Sequence, residues 1–320
     1  MKILIHIQSN DNKINPISLE SIGAAQQLKK SNDAEIHATT FSSDVATELN
    51  AFNLDKTILI EGQNLDSYNP LFYLEAFDQI IENNKPDLII FGHTYETRDW
   101  VPRLSARKSI PFISDCIGMQ LGTKLIFTRS LYQNKVNVDV ECKSDVAIVS
   151  FQSGSYKLDS IESGSNQTEV LSVDLNAVHN KIKNEEKFKD NEGGVDLTSA
   201  DFIVSIGRGI GKEENIPMAR ELSDLIGAQL ASSRPVVDSG WVDHSLQIGS
   251  SGQIISPKLY LALGISGAIQ HVVGMKSSQC ILSINKDKNA PIFEISDYGV
   301  VGDIMEIIPK LNSAIKEHNG

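Results

Sequence analysis

The stretch Gly264-Ile265-Ser266-Gly267-Ala268-Ile269-Gln270-His271 is the part of this 320-residue chain best composed for binding chemistry. Small side chains at Ser266, Gly267 and Ala268 let a ligand approach the backbone closely, and the segment can open a helix that ends near Gly274. His271 follows soon after Ser266, so one ligand lying along that turn reaches both. A second candidate is Gly207-Arg208-Gly209-Ile210-Gly211-Lys212, placed directly after the apolar run Phe202-Ile203-Val204-Ser205-Ile206. Glycines at a strand-to-helix turn can aim backbone N–H groups at a phosphate, and the helix start adds positive partial charge. The spacing is G-x-G-x-G and not the dinucleotide G-x-G-x-x-G, so a tight turn without a ligand explains it equally well.

Four further places carry candidate polar groups. Ser233-Arg234-Pro235 fixes an arginine between a hydroxyl and a proline, although an isolated arginine more often makes a surface salt bridge. Gln247-Ile248-Gly249-Ser250-Ser251-Gly252-Gln253 sets two hydroxyls between glycines, a composition shared with plain polar turns. Asn285 closes the apolar run 281–284, at the strand end where open α/β sheets place ligands. Asp303 either accepts a hydrogen bond from a ribose or adenine or caps the last helix. His244, between Asp243 and Ser245, reads as a polar loop, because neighbours in sequence do not make a triad. No nucleophile, acid–base pair or metal-ligand spacing stands out.

These groups need a scaffold, and the apolar patterning supplies one. Residues 2–8, 34–41, 57–60 and 87–92 read as strands, with helices over 16–30 and 70–83 between them. Such alternation implies right-handed βαβ units and a mostly parallel sheet. Between 127 and 149 the period becomes two, which predicts an appended antiparallel meander. Residues 181–194, KIKNEEKFKDNEGG, read as a solvated linker. Beyond them a second unit starts with a strand over 202–206 and a helix over about 217–230, and one more strand precedes the segment 297–303.

Composition narrows the function. A net charge of −12, from 41 acidic against 29 basic side chains, repels a phosphate backbone, so no nucleic-acid partner is expected. No run approaches a membrane span. The 3 cysteines are scattered, which suits a reducing compartment and makes a cytoplasmic location the expectation.

Taken in order, GRG at 207–209, SRPVVDSGW at 233–241, QIGSSGQ at 247–253, LYLALGISGAIQHVVGM at 259–275, INKDKNAPIF at 284–293 and DYGVVGD at 297–303 closely resemble the alpha subunit of electron-transfer flavoproteins. HTYETRDWVPRLSARKSIPFISDC at 93–116 resembles it more loosely. The resemblance implies an α/β protein of two domains. A nucleotide-hydrolase-like α/β domain over 1–190 would contact a beta subunit, and a doubly wound parallel-sheet domain over 191–320 would bind FAD. It further implies that Arg208, Ser233, Arg234, Ile248, Gly249, Ser250, Ser251, Ser266, Gly267, Ala268, Ile269, Gln270, His271, Asn285, Asp303 and Ile304 line the cofactor. Arg234 would lie near the reactive edge of the flavin, Ser251 would hydrogen-bond N5, and His271 would meet the pyrimidine carbonyl. The family commonly has Gln-Thr where this chain has Ser250-Ser251, so the hydroxyl is kept but the methyl that stiffens χ1 is lost.

On this reading Arg234 and His271 supply positive charge or donors, and Ser251 a neutral donor, where reduction adds charge to the ring. The implied role is an electron carrier without substrate turnover of its own, in a heterodimer with the beta subunit. Flavin dehydrogenases such as acyl-CoA dehydrogenases are its expected donors and a membrane quinone reductase its transient acceptor. The alternatives are an electron-bifurcating, NADH-oxidising subunit, a self-sufficient flavin or NAD oxidoreductase, and a nucleotide-binding partner without redox chemistry.

Overall fold

The computed structural model describes residues 1–10, 12–132, 136–179, 181–182, 185 and 197–319. The chain divides into two compact units, Met1–Lys187 and Phe188–Gly320. Most of the charged stretch expected as a linker, and the expected boundary at 190/191, lie outside the described residues.

The first unit begins with β1 (Lys2–His6), a small hairpin of β2 (Ser9–Asn10) and β3 (Lys13–Ile14), and α1 (Pro16–Ser31). It continues through β4 (Glu35–Thr40), α2 (Ser43–Leu49), β5 (Lys56–Glu61), α3 (Pro70–Asn84), β6 (Leu88–Gly92) and α4 (Tyr95–Lys108). Then come β7 (Phe112–Leu121), β8 (Leu125–Leu131), β9 (Val136–Glu141), β10 (Ala147–Phe151) and β11 (Thr168–Ser172). The strand order β11-β5-β4-β1-β6-β10-β7-β8-β9 forms one sheet, parallel as far as β7 and antiparallel across β7-β8-β9. Asn15 and Asn69 cap α1 and α3 through their side-chain oxygens, each just ahead of a proline that needs no N–H partner.

Alternate residues of the central strands enter opposite cores. Ile3, Ile5, Leu88 and Ile90 join one, and Leu4, Ile89 and Phe91 the other. Covering both faces is what makes these strands read as continuous apolar runs. The antiparallel region differs from expectation at both ends. Antiparallel pairing starts at Cys116, and residues 147–149 belong to the parallel strand β10, whose five residues are all buried.

The second unit holds β12 (Phe202–Ile206), α5 (Ile216–Leu225), β13 (Gln229–Ser233), α6 (Arg234–Asp238), β14 (Gln247–Ile248) and β15 (Leu259–Leu263). It closes with α7 (Ile269–Val272), β16 (Ile281–Asn285), β17 (Tyr298–Val301) and α8 (Ile304–Asn319). Its six strands are all parallel, in the order β14-β13-β12-β15-β16-β17. The chain winds outward from β12 first to one side and then to the other, the doubly wound arrangement. The helix expected over 217–230 stops at Leu225, because Gly227 takes a left-handed φ of +66° and the chain turns into β13. The segment 297–303 does not follow a further strand; it contains β17 itself.

His6, at the end of β1, is buried among the rings of Phe77, Phe91 and Trp100, with centroids 5.0, 5.8 and 6.0 Å away. Burial pushes its pKa down from 6.5 to about 3. The unfolded chain therefore binds more protons between those values, and stability falls as the pH is lowered through that window. Substituting His6→Leu should flatten the stability–pH curve of the chain there, by on the order of a few kcal/mol at its acid end. Urea unfolding at a series of pH values measures this, and parallel curves for both proteins would contradict it.

Candidate functional site

An all-parallel sheet sends every connection away from the same edge, and the candidate residues gather there. Arg208 follows β12, Arg234 follows Ser233 at the end of β13, and Gly249, Ser250 and Ser251 follow β14. The segment 264–271 follows β15, Asn285 ends β16, and Asp303 lies just past β17. At roughly 4.8 Å per strand, six strands present an edge about 24 Å long. That length suits an extended ligand such as a dinucleotide better than a compact metabolite, with the strand-order reversal between β12 and β15 as its crevice.

Two of the turns on this edge are fastened to each other. Ser250 N–H donates to the Gln270 carbonyl at 2.8 Å, and His271 Nδ1 lies 3.1 Å from the Ile248 carbonyl. Gly249, at φ +139°, lies so close that a Cβ would stand 2.6 Å from the Gln270 oxygen. A Cβ on Gly274 would collide with the Gly249 backbone. His271 Nε2 in turn bonds the Tyr260 hydroxyl at 2.7 Å. Gln247, almost wholly buried, directs its Nε2 to the Ser251 carbonyl and hydroxyl oxygens at 2.9 and 3.0 Å. On the other flank, Asn285 Nδ2 donates to the Ile265 carbonyl at 2.8 Å and Ile292 N–H to that of Ser266 at 3.1 Å. Ser266, Ala268, Ile269 and Gln270 are thereby held in place and left exposed.

The structure resolves the choices that the sequence leaves open. In the 207–211 turn the N–H groups of Gly207, Gly209, Ile210 and Gly211 donate to the carbonyls of Leu263, Gly264, Gly207 and Arg208. A Cβ on Gly207 or Gly209 would strike Gly264. These glycines admit a neighbouring turn and do not cradle a phosphate. Arg208 itself is exposed. Asp303 Oδ1 accepts from Met305 N–H at 2.9 Å, so the carboxylate caps α8. Ile304 is a core side chain at 3% exposure, and Ile248 is likewise buried, offering its carbonyl in place of its side chain. Ser233 is buried at the end of β13, while Arg234 is exposed, with Nε 3.3 Å from Asp238 Oδ2.

His271 requires a correction. Burial pushes its pKa down to about 4, so it is neutral near pH 7 and brings no positive charge to the edge. Of Arg234 and His271, from which positive charge or donors are expected, only Arg234 is therefore left as a source of charge. Sequence reasoning also missed Gln247 and Tyr260. A tyrosine inside the aliphatic run LYLAL was the available signal for Tyr260.

Whether FAD fits can be judged from the groups left over. Among the described residues, the side chains of Arg208, Ser250, Ser266 and Gln270 make no hydrogen bond or ion pair and are exposed along the edge. Hydroxyls, an amide and guanidinium groups at backbone-lined turns suit a long, anionic, hydrogen-bonding dinucleotide. The doubly wound sheet and this edge thus define a dinucleotide-binding protein.

Residues 3–178 match the family described as the electron transfer flavoprotein domain, and residues 196–276 match the electron transfer flavoprotein FAD-binding domain. The electron transfer flavoprotein subunit alpha of Bacillus subtilis is 34% identical, covering 99% of this chain and 98% of its own. That of Methylophilus methylotrophus is also 34% identical, over 98% of this chain and 99% of its own. The LctC subunit of the lactate dehydrogenase (NAD(+),ferredoxin) of Acetobacterium woodii is 32% identical, over 98% of this chain and 77% of its own. The chain belongs to the electron transfer flavoprotein alpha subunit family, whose second domain binds FAD.

The glycines of this unit make an ordered prediction. Gly267, at φ +85°, leaves no room for a Cβ against the Ile292 backbone, whereas Gly227, at φ +66°, has open space around it. Gly227→Ala should cost only the left-handed strain, about 1 kcal/mol. Gly267→Ala should cost several times as much, because main chain must move. Thermal unfolding of the two variants checks the order; equal losses would contradict it.

Proposed function

We propose that this chain is the FAD-holding alpha subunit of a heterodimeric carrier that works in the cytoplasm with a beta subunit. It takes electrons from flavin dehydrogenases, acyl-CoA dehydrogenases among them, and passes them to a membrane quinone reductase. What carries this reading is the single edge that presents Arg234, Ser251 and the 266–271 turn together, without a nucleophile or acid–base pair among them.

FAD supplies the redox chemistry when bound. The chain's own contribution is to orient it and to set the local charge. Gln247 Nε2 donates to Ser251 Oγ, which leaves the serine proton free to donate in turn to a ring nitrogen. That interaction offsets the looser rotamer of a serine at this position. Arg234 offers a guanidinium that stays charged throughout, the kind of fixed group that stabilises added negative charge with little reorganisation. Asp238 stands beside it and offsets part of that field.

The similarity to LctC, named as part of a lactate dehydrogenase that uses NAD(+) and ferredoxin, supports a second reading in which the heterodimer bifurcates electrons. The visible spectrum of the chain co-purified with its beta subunit separates the two. One FAD per heterodimer, untouched by NADH, supports the carrier, and a second flavin reduced by NADH supports bifurcation. A folded, colourless pair contradicts both.

Charge substitutions give the directional test. Arg234→Ala should make the flavin potential more negative, and Asp238→Asn should make it more positive, each by on the order of tens of millivolts. A reductive titration against reference dyes measures both, and unchanged potentials would remove Arg234 from this role.

A further inference from the structure

A second group of polar side chains gathers at the strand ends of the first sheet, where β6, β10 and β7 lie side by side. His93 follows β6, with Nδ1 2.9 Å from the Ser150 hydroxyl on β10 and Nε2 3.7 Å from the Asp115 carboxylate on β7. Asp115 holds a left-handed φ of +58°, and its N–H donates to the same Ser150 oxygen at 3.2 Å. Strain of this kind, in a residue other than glycine, collects at binding sites.

Two arginines flank the histidine. Arg129 on β8 pairs opposite Cys116, next to Asp115, and Arg98 lies one turn into α4 with its guanidinium 5.4 Å from the centre of the Tyr95 ring. Burial holds the His93 pKa below its ordinary value, with Arg98 and Arg129 adding to that and Asp115 acting against it. On the same helix Arg103 and Arg107 are paired with Asp99 and Glu75. Among the described residues, the side chains of Arg98 and Arg129 have no carboxylate partner, and Arg129 Nε is shut away from water without a hydrogen bond. In a chain with 41 acidic side chains against 29 basic ones, this corner keeps charged donors that only an anion from outside would satisfy. The start of α4 adds the positive end of a helix dipole.

We propose that His93, Arg98 and Arg129 form an oxyanion site on the first unit, for free phosphate or the phosphate group of a monoester. Guanidinium groups meet phosphate oxygens two at a time, and the Tyr95 ring, 84% exposed, offers a face to the organic part of an ester. The groups that face His93 are the Ser150 hydroxyl, the Asp115 carboxylate and the two guanidiniums. A bound anion turns that balance toward the protonated ring, which then becomes a third donor. Binding therefore strengthens as the pH falls through the His93 pKa. The site lies wholly within the first unit and is independent of the electron-carrier reading.

The test is an NMR pH titration of the histidines in the alpha–beta complex at matched ionic strength, in chloride alone, with inorganic phosphate and with phenyl phosphate. The His93 signal is assigned by its loss in His93→Gln. With phosphate present His93 should titrate at higher pH, and Arg98→Gln and Arg129→Gln should each weaken phosphate binding roughly tenfold. Tighter binding of phenyl phosphate, lost in Tyr95→Ala, identifies a monoester as the ligand, and equal or weaker binding identifies free phosphate. A His93 titration that neither anion moves overturns the proposal, whether or not the arginine variants fold. So does a phosphate-dependent shift that persists undiminished in both arginine variants.

Discussion

The second unit depends on the close approach of two turns, the one after β14 and the one that runs into α7. Gly249 and Gly274 bring their backbones into van der Waals contact, and Ser250 N–H closes on the Gln270 carbonyl. Backbone packed this tightly leaves polar groups that must bond each other or lose water without return. The His271–Ile248 bond meets part of that need and ties the imidazole to the geometry of the serine turn. The close approach therefore sets the shape of the edge and buries its histidine, and that burial keeps the ring neutral.

The same logic explains the glycines near β12. Gly207 and Gly209 accept the backbone of Gly264, and their N–H groups are consumed in doing so. A glycine-rich turn at a strand end suggests a phosphate cradle, and here the geometry is used to seat the neighbouring turn instead. On the proposed function, anion recognition on this edge would fall to side chains, with Arg208 and Arg234 among its exposed cations. This division of labour lets a chain of strongly negative net charge hold an anionic cofactor, since the favourable charge is concentrated at one end of one sheet.

Much of this was legible in the sequence where local pattern and tertiary environment agree. The run LIIFG of β6 reads as a strand buried on both faces and is one. β7 escaped because its pattern is broken by design of the backbone: Asp115 adopts a left-handed φ of +58°, and the pairing of β7 slips against both β10 and β8. A bulge of this kind shifts residues between faces and erases period two. α5 was read too long because Gly227, the stop signal in the sequence, was passed over; its left-handed turn ends the helix at Leu225. The resemblance names candidate site residues, but their burial and hydrogen-bond partners were not legible in the sequence. The charge of His271 depends on burial, which no local pattern around it announces.

That dependence bears on how an electron carrier tunes a flavin. A protonated histidine against the ring would stabilise added charge strongly, but its charge would vary with pH and would itself need solvating in a site closed to water. A buried neutral imidazole keeps its state across the physiological range. On the proposed function the positive charge near the ring would come from Arg234, which is exposed and partly balanced by Asp238. An exposed ion pair is weak and easily rearranged, so whatever docks at the edge can separate Arg234 from Asp238 at little cost.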